Sequence, residues 1–130
     1  MVDEERFTAG MAARRRVLGD AYVDRSLASA SEFGSPLQEL VTEYCWGWLW
    51  NRGGLPDRTR SLINLGMLAA LGREHELRLH LVGALRNGCT TEEIQEALLQ
   101  VCIYAGVPAA VSAFRIAQDV IADHDHATQS

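Results

Sequence analysis

The chain has 130 residues, 48% of them hydrophobic and 22% charged, which is typical of one globular domain and excludes a disordered or fibrous protein. Its formal net charge of −5 argues against nucleic acid as a partner. No apolar run approaches the roughly 18 residues that span a bilayer, and the charged start lacks a secretory core, so we expect a cytoplasmic protein with no membrane partner.

A first helix is predicted over residues 3–18, where apolar residues are spread among charged ones and Gly19 stands at a stop position. Its arginine run, residues 14–16, is expected to form a solvated face. Residues 22–30 are expected to connect this helix to the next one and to be helical in part.

The sequence Ser-Pro-Leu-Gln at residues 35–38 predicts a strong helix start, with serine as N-cap, proline at the first position and glutamine completing a capping box. The helix is predicted to continue to Trp50. On it Trp46 and Trp50 share one side, and Trp48 faces away. Such a helix needs two apolar environments, of which one is the core and the other a subunit interface or a ligand cavity.

Residues 58–71 predict a helix that is apolar on nearly every side and therefore buried all round. After a break at Gly72, a further helix is predicted to carry Arg73, Glu76 and His80. At 3.6 residues per turn these three share one face, on the margin of the apolar stripe.

That helix is expected to end at residues 87–88, an Asn-Gly pair typical of a helix stop. A capping box at residues 90–93 then begins a very apolar helix that ends at residue 105. A turn at residues 106–108 leads into the last helix, predicted over residues 109–122. His124 and His126 are expected to be exposed in a frayed tail, residues 123–130.

These elements predict an all-α fold of about six helices, with no strand. We expect a single domain spanning residues 1–130, in which residues 5–122 form the helical core. The chain carries more apolar helix surface than one small domain buries easily, so a homo-oligomer is expected.

The polar trio Arg73, Glu76 and His80 is costly at the edge of a core unless its charges form ion pairs or the residues serve in binding or catalysis. From spacing alone, a salt-bridged structural histidine and a functional site stay equally open. His75 and His80 are five residues apart, about 140° around a helix, and cannot bind one metal ion. Three widely spaced cysteines predict neither a disulfide framework nor a thiol mechanism.

What remains is acid–base and electrostatic chemistry. His80 can donate or accept a proton near neutral pH, Glu76 can orient it, and Arg60 and Arg73 can hold carboxylates. These groups suit a small polyanionic substrate in a mostly apolar pocket, with no metal and no cofactor.

Several stretches together resemble the carboxymuconolactone decarboxylase family. They are residues 17–20, 25–27, 55–62, 69–80, 87–88 and 104–110, and the resemblance covers about residues 5–122. The wider superfamily includes the alkyl hydroperoxidase D type, which has a Cys-x-x-Cys-x-x-x-His motif on the same helix. Here Arg73 and Glu76 stand at the two cysteine positions and only His80 matches, so the peroxidase branch is excluded.

The resemblance implies an alkyl hydroperoxidase D-like helical fold that forms trimers or hexamers. It also implies a cofactor-free decarboxylase that converts 4-carboxymuconolactone to 3-oxoadipate enol-lactone and carbon dioxide in protocatechuate catabolism. In that reaction His80, oriented by Glu76, would supply the proton or an oxyanion hydrogen bond, while Arg60 and Arg73 anchor carboxylates. An apolar wall including Trp46 would destabilise the departing carboxylate.

The sequence departs from the family pattern at Trp48, Val82 and Val111, where an acidic residue, arginine and asparagine are frequent. These apolar residues are either neutral changes on packed faces or parts of a retuned substrate pocket. The second case would give a different acid–base reaction, such as a cyclisation, dehydration or decarboxylation, on a larger and less charged substrate. A third hypothesis is a non-catalytic helical oligomer in which His80 is buried and inert.

Overall fold

The computed structural model describes residues 3–129, with side chains through residue 128. Within this range the chain forms seven α-helices and one π-helical segment and contains no strand, so the all-α prediction is confirmed. The elements are α1 Glu4–Leu18, α2 Asp20–Ala28, α3 Ser35–Leu40, the π-helix Val41–Leu49, α4 Asp57–Leu71, α5 Glu74–Arg86, α6 Thr91–Ala105 and α7 Val107–Gln129. They group into two compact units, Met1–Pro56 and Asp57–Ser130. None of the helices in residues 3–129 is long and apolar enough to cross a membrane.

The first unit is organised by the close packing of α1 against the π-helix. Its core consists of Ala13, Val17, Trp46 and Trp50. Glycines make the close approach possible, because a Cβ atom at Gly10 would meet the π-helix backbone and one at Gly47 would meet the backbone of Arg6. The two backbones therefore touch where neither helix carries a side chain.

The predicted helix over residues 35–50 is confirmed in extent, but its second half is a π-helix. The amide of Trp50 donates to the carbonyl of Cys45 at 3.2 Å, five residues back. Asn51 completes the end of the segment, since its Nδ2 donates to the carbonyls of Trp46 at 3.0 Å and Ala9 at 3.1 Å. The carboxamide thus satisfies a carbonyl at the helix end and ties the π-helix to α1.

The predicted capping box at residues 35–38 is wrong. Gly34 is the N-cap of α3 and makes no side-chain cap, while Ser35 is already helical. The Gln38 side chain cannot reach back to cap the helix, because its Oε1 accepts a hydrogen bond from Arg14 Nη1 at 3.1 Å. A tertiary contact has replaced the local one.

The arginine run does not form one solvated face. Arg14 is only 5% exposed, and its second Nη donates to Ser26 Oγ at 3.0 Å. Burial lowers the pKa of Arg14 from its ordinary value. Arg15 instead pairs with Asp20 and Asp24 in the first half of α2. Residues 20–28 form this complete helix, where a partly helical connection was expected.

The second unit is built from α4 to α7, with α4 packed against the other three helices. Its core consists of Leu65, Ala69, Leu77, Leu81, Ala84, Cys89, Ile94, Leu98, Val101, Ala113, Ala117 and Val120. The prediction that α4 is buried all round is wrong, because Ile63, Met67 and Leu71 are exposed. One stripe of α4 faces the core, and the opposite apolar stripe has no cover within the described chain.

In the second unit, the glycines that end α4 and α5 and the N-terminal cap of α6 lie where the sequence predicts them. Gly72 at φ 71° and Gly88 at φ 87° occupy the left-handed backbone region that glycine tolerates best. Thr90 and Glu93 form the predicted capping box of α6. The predicted tail is wrong, since α7 continues to Gln129 where no glycine or proline interrupts it, and Ser130 lies outside the described residues. His124 and His126 are exposed, as predicted.

Candidate active site on the fourth and fifth helices

His80 lies on α5 beside the stripe that enters the core of the second unit, and its side chain is partly buried. Asn87 is the C-cap residue at the end of the same helix. The Nδ2 of Asn87 donates to Ser61 Oγ on α4 at 2.9 Å. This hydrogen bond joins the carboxyl-terminal end of α5 to α4.

Glu76 is exposed one turn before His80, at the i,i+4 spacing that the sequence predicted. Burial lowers the pKa of His80 from its ordinary value of 6.5, and the Glu76 carboxylate opposes this as the weaker effect. The imidazole is therefore mostly neutral at pH 7. A neutral imidazole can accept a proton at one nitrogen and donate a hydrogen bond from the other.

We expect Glu76→Gln to lower the pKa of His80 further, because it removes the negative charge that favours the imidazolium. The measurement is an NMR pH titration of the histidine ring signals in the wild type and the variant. Glu74→Gln, an exposed carboxylate on the same helix, is the matched control and should leave the His80 titration in place. A His80 pKa that rises in Glu76→Gln would contradict the electrostatic pairing.

Arg60 lies next to Ser61 on α4 and is partly buried. Its Nε is buried and makes no hydrogen bond within residues 3–128. A buried guanidinium donor without an acceptor is costly, and an anion would relieve that cost. Arg60 is therefore the stronger of the two predicted carboxylate anchors.

The helical wheel that placed Arg73 on one face with Glu76 and His80 does not apply to it, because α5 begins only at Glu74. Arg73 is the N-cap residue of α5, with φ −86° and ψ 76°, so its direction cannot be extrapolated from the helix. Helix α5 begins only after the left-handed Gly72. Arg73 is exposed and lines a small hollow of about 70 Å³ together with residues of α7 such as Ser112.

Val82 and Val111 lie in two different grooves of the second unit. Val82 lines a groove of about 320 Å³ between α5 and α7, and Val111 one of about 380 Å³ between α6 and α7. His80 lines neither groove, and Val82 leaves α5 about 160° away from it. The structure does not bring these two valines together with His80.

A larger groove of about 800 Å³ runs between α4 and α6 and was not predicted. Its lining includes apolar residues such as Ile63 and Ala97 and the acidic residues Glu92 and Glu96. One signal in the sequence could have indicated this groove, since α4 is apolar on more sides than a single core can use.

Trp46 and Trp48 belong to the first unit and have the predicted opposite orientations. Trp46 is buried and stacks on Trp50, with ring centroids 5.3 Å apart and planes at 23°. Trp48 is half-exposed, and the Arg52 guanidinium lies over its ring at 4.5 Å. Trp46 thus fills the core of its own unit, while Trp48 remains available to another surface.

The cysteines Cys45, Cys89 and Cys102 are free thiols, as predicted. Burial raises the pKa of Cys45 and of Cys89, so both thiols stay protonated near neutral pH. The Cys89 thiol also contacts the carbonyl of Arg58 at 3.5 Å. Neither Cys45 nor Cys89 has the thiolate character of a nucleophile.

Comparison with known proteins gives this geometry a context. The model of the carboxymuconolactone decarboxylase family matches residues 35–119. Over 123 residues the chain is 42% identical to the 4-carboxymuconolactone decarboxylase of Acinetobacter baylyi, covering 95% of this chain and 92% of that protein. It is also 42% identical over 117 residues to the nitrosuccinic acid decarboxylase of Metarhizium robertsii, covering 90% of this chain and 82% of that protein.

A third relative is the 4-carboxymuconolactone decarboxylase of Pseudomonas putida, 45% identical over 47 residues, which are 36% of this chain and 98% of that sequence. The family match includes the π-helix and the His80 helix and extends into α7. With two decarboxylases similar over nine-tenths or more of its length, the chain belongs to the carboxymuconolactone decarboxylase family.

Proposed function

We propose that this protein is a carboxy-lyase that converts 4-carboxymuconolactone to 3-oxoadipate enol-lactone and carbon dioxide. The observation that carries the proposal is the 42% identity, over almost the whole of both chains, to a relative of that name. The partly buried His80 with Glu76 one turn away supplies the acid–base pair that the chemistry requires. This activity would place the protein in protocatechuate catabolism.

The reaction needs stabilisation of charge more than it needs a strong base. The bond between the ring and the departing carboxylate breaks, and its electron pair moves into the lactone carbonyl to give a dienolate. Carbon dioxide leaves, and one proton is then taken up at the ring carbon next to the carbonyl. Since the lactone itself accepts the electrons, we propose that no metal or organic cofactor takes part.

In this scheme neutral His80 donates a hydrogen bond to the developing oxyanion, and Glu76 orients the ring. The lowered pKa of His80 favours this role over that of a general acid that is already protonated before the reaction. Arg60, with its buried unpaired Nε, holds a carboxylate that does not react. Arg73 is exposed at the start of α5 and is proposed as the second anchor.

The remaining predicted pocket residues are Trp46, Trp48, Val82 and Val111, and they stay proposals. Trp46 is still proposed as an apolar wall, with its buried ring packed on Trp50. We further propose that the protein is a single-domain cytoplasmic homo-oligomer, a trimer or hexamer. The uncovered apolar surface of α4 supports assembly.

A second candidate is decarboxylation of a different small acid. The relative from Metarhizium robertsii is named for nitrosuccinic acid and has the same 42% identity, over 117 residues. Loss of a carboxylate next to a nitro group also leaves its electron pair on oxygen atoms, so the same oxyanion site would serve. This candidate supports a changed substrate, although not the larger and less charged one that Trp48, Val82 and Val111 suggested.

We expect wild-type protein to consume 4-carboxymuconolactone, generated in situ, with ultraviolet absorbance following the lactone and no metal or cofactor added. Nitrosuccinate is offered in parallel, with release of carbon dioxide as the readout. A higher kcat/KM for nitrosuccinate would move the assignment to the second candidate. A folded protein that turns over neither acid would contradict both and favour the non-catalytic oligomer.

A further inference from the structure

Ser61 on α4 is a fully buried polar residue, 0% exposed, beside the apolar core of the second unit. Its Oγ accepts the hydrogen bond from Asn87 Nδ2 at 2.9 Å. Burying a hydroxyl group costs free energy that one such hydrogen bond does little more than offset. Alanine would avoid that cost and has the higher helix propensity. Neither burial nor helix formation therefore favours a serine at this position.

The end of α5 does not require the carboxamide of Asn87 either. Asn87 is the C-cap residue, with φ −83° and ψ 6°, a turn conformation that needs no special residue. The left-handed conformation belongs to the next residue, Gly88, at φ 87°. The glycine thus accounts for the predicted Asn-Gly stop. The carboxamide of Asn87 is available for its contact with α4.

This hydrogen bond lies next in sequence to Arg60. Helix α4 begins at Asp57, so Arg60 stands in its first turn, where helices fray most easily. The Nε of Arg60 is buried and makes no hydrogen bond within residues 3–128. Because no acceptor at Nε directs the Arg60 side chain, its position depends on the backbone that carries it. The hydrogen bond of Ser61 fixes that backbone against the end of α5.

Two further contacts tie the start of α4 to the turn between α5 and α6, but they are more exposed. Arg58 Nε donates to the carbonyl of Gly88 at 3.3 Å, and the Arg58 guanidinium pairs with Glu93. The side chain of Arg58 is 47% exposed, so solvent screens these contacts. The hydrogen bond at Ser61 is shielded from water and is directly adjacent to Arg60 in the chain. It is therefore the contact best placed to hold Arg60.

We propose that Ser61 and Asn87 are positioning residues, which hold Arg60 where it binds the substrate carboxylate that does not react. The inference rests on the proposed function for the identity of this anion. Both candidate acids keep one carboxylate after carbon dioxide leaves, so the role is the same for either. That carboxylate is charged throughout the reaction, and Arg60 therefore binds the substrate and the transition state alike. Loss of the positioning hydrogen bond should raise KM and change kcat little.

The first test is steady-state kinetics on whichever acid the wild type consumes. Ser61→Ala and Asn87→Ala should each raise KM about tenfold and change kcat less than about twofold. The double variant should resemble either single one, since all three lose the same hydrogen bond. In an Arg60→Gln background, Ser61→Ala should raise KM no further, because the side chain that it positions is gone.

Ile94→Val is the matched control for stability. Ile94 is a buried core residue of α6, and the loss of one methyl group there should lower the unfolding midpoint without touching KM. Circular dichroism establishes that each variant is folded, and Asn87→Ala carries the test if Ser61→Ala is not. A wild-type KM in the folded variants, or a further rise in KM when Ser61→Ala is added to Arg60→Gln, would overturn the proposal.

A second test does not require turnover. The Nε–H signal of Arg60, assigned by its loss in Arg60→Gln, is followed by NMR during titration with succinate, a dicarboxylate probe. Succinate should shift this signal in the wild type and in Ile94→Val, and the dissociation constant should be about tenfold higher in Ser61→Ala and Asn87→Ala.

This titration separates the proposal from the proposed reaction. Tighter succinate binding by the wild type than by the two alanine variants would support the positioning role, even in a protein that decarboxylates neither acid. Equal dissociation constants in all of them, or no response of the Arg60 signal in the wild type, would overturn the positioning role, even if one acid is consumed.

Discussion

His80→Ala is expected to lower kcat for decarboxylation about 10²- to 10³-fold, the loss typical of removing one hydrogen-bond donor aimed at a developing oxyanion. The donor acts only once negative charge reaches the lactone oxygen, so KM should change little. Steady-state kinetics on 4-carboxymuconolactone, at several substrate concentrations, separate kcat from KM.

His75→Ala is the matched control for this prediction, because His75 is an exposed histidine on the same helix. It should retain wild-type turnover, and both variants should keep the wild-type circular dichroism. Near-normal kcat in His80→Ala would contradict the assignment and would leave His80 as a partly buried structural residue of α5.

The pH profile gives an independent readout of the same role. Since burial lowers the pKa of His80 below 6.5, the neutral donor is the main form at pH 7 and above. We therefore expect kcat/KM to hold between pH 7 and 8 and to fall as pH drops through the lowered pKa, where the imidazolium forms. Activity that instead rises on acidification would mean that His80 acts as a protonated acid.

The second large effect concerns the packing of α1 on the π-helix. Gly10→Ala is expected to destabilise the protein by about 3 kcal/mol or more, at the upper end of the range for overpacking. The new methyl group would meet the carbonyl oxygen of Thr42 and come within 2.8 Å of the amide nitrogen of Gly47. Both are backbone atoms, so no side chain can rotate away to make room.

All three tryptophans of the chain lie between residues 46 and 50, so their fluorescence reports on this packing during denaturant unfolding. Gly66→Ala is the matched control, because a Cβ atom there meets nothing within 4 Å. In the interior of α4 that change should stabilise by about 0.5–1 kcal/mol, measured by circular dichroism. An unfolding midpoint of Gly10→Ala equal to that of wild type would show that the two helices can separate at little cost.

Some features were predictable because they depend on residues close together in the sequence. The glycines that end α4 and α5 and the capping box of Thr90 and Glu93 are local chemistry, and each is found where it was expected. The pairing of Glu76 with His80 belongs to the same class, since i,i+4 spacing on a helix is sufficient to place them together.

Other features depend on contacts between distant parts of the chain. Arg14 takes Gln38 away from the cap of α3 across 24 residues, which no local pattern records. The contact of Gly10 and Gly47 with the opposing backbone likewise joins residues far apart in the sequence. Arg73 differs for another reason, because the predicted helix was begun one residue too early, at a residue whose backbone is not helical.

The π-helix has a consequence for how the chain accommodates changes in length. Nine residues of π-helix make about two turns, a rotation that an α-helix completes with about seven. The segment thus uses more residues for the same rotation than an α-helix does. If one residue were removed, the segment could return to the α-helical repeat and keep its backbone hydrogen bonds. The deletion would rotate the helical residues that follow it by nearly a quarter turn about the helix axis. This rotation would separate the indole ring of Trp50 from that of Trp46. A one-residue deletion at this point would alter aromatic packing and leave a helix unbroken.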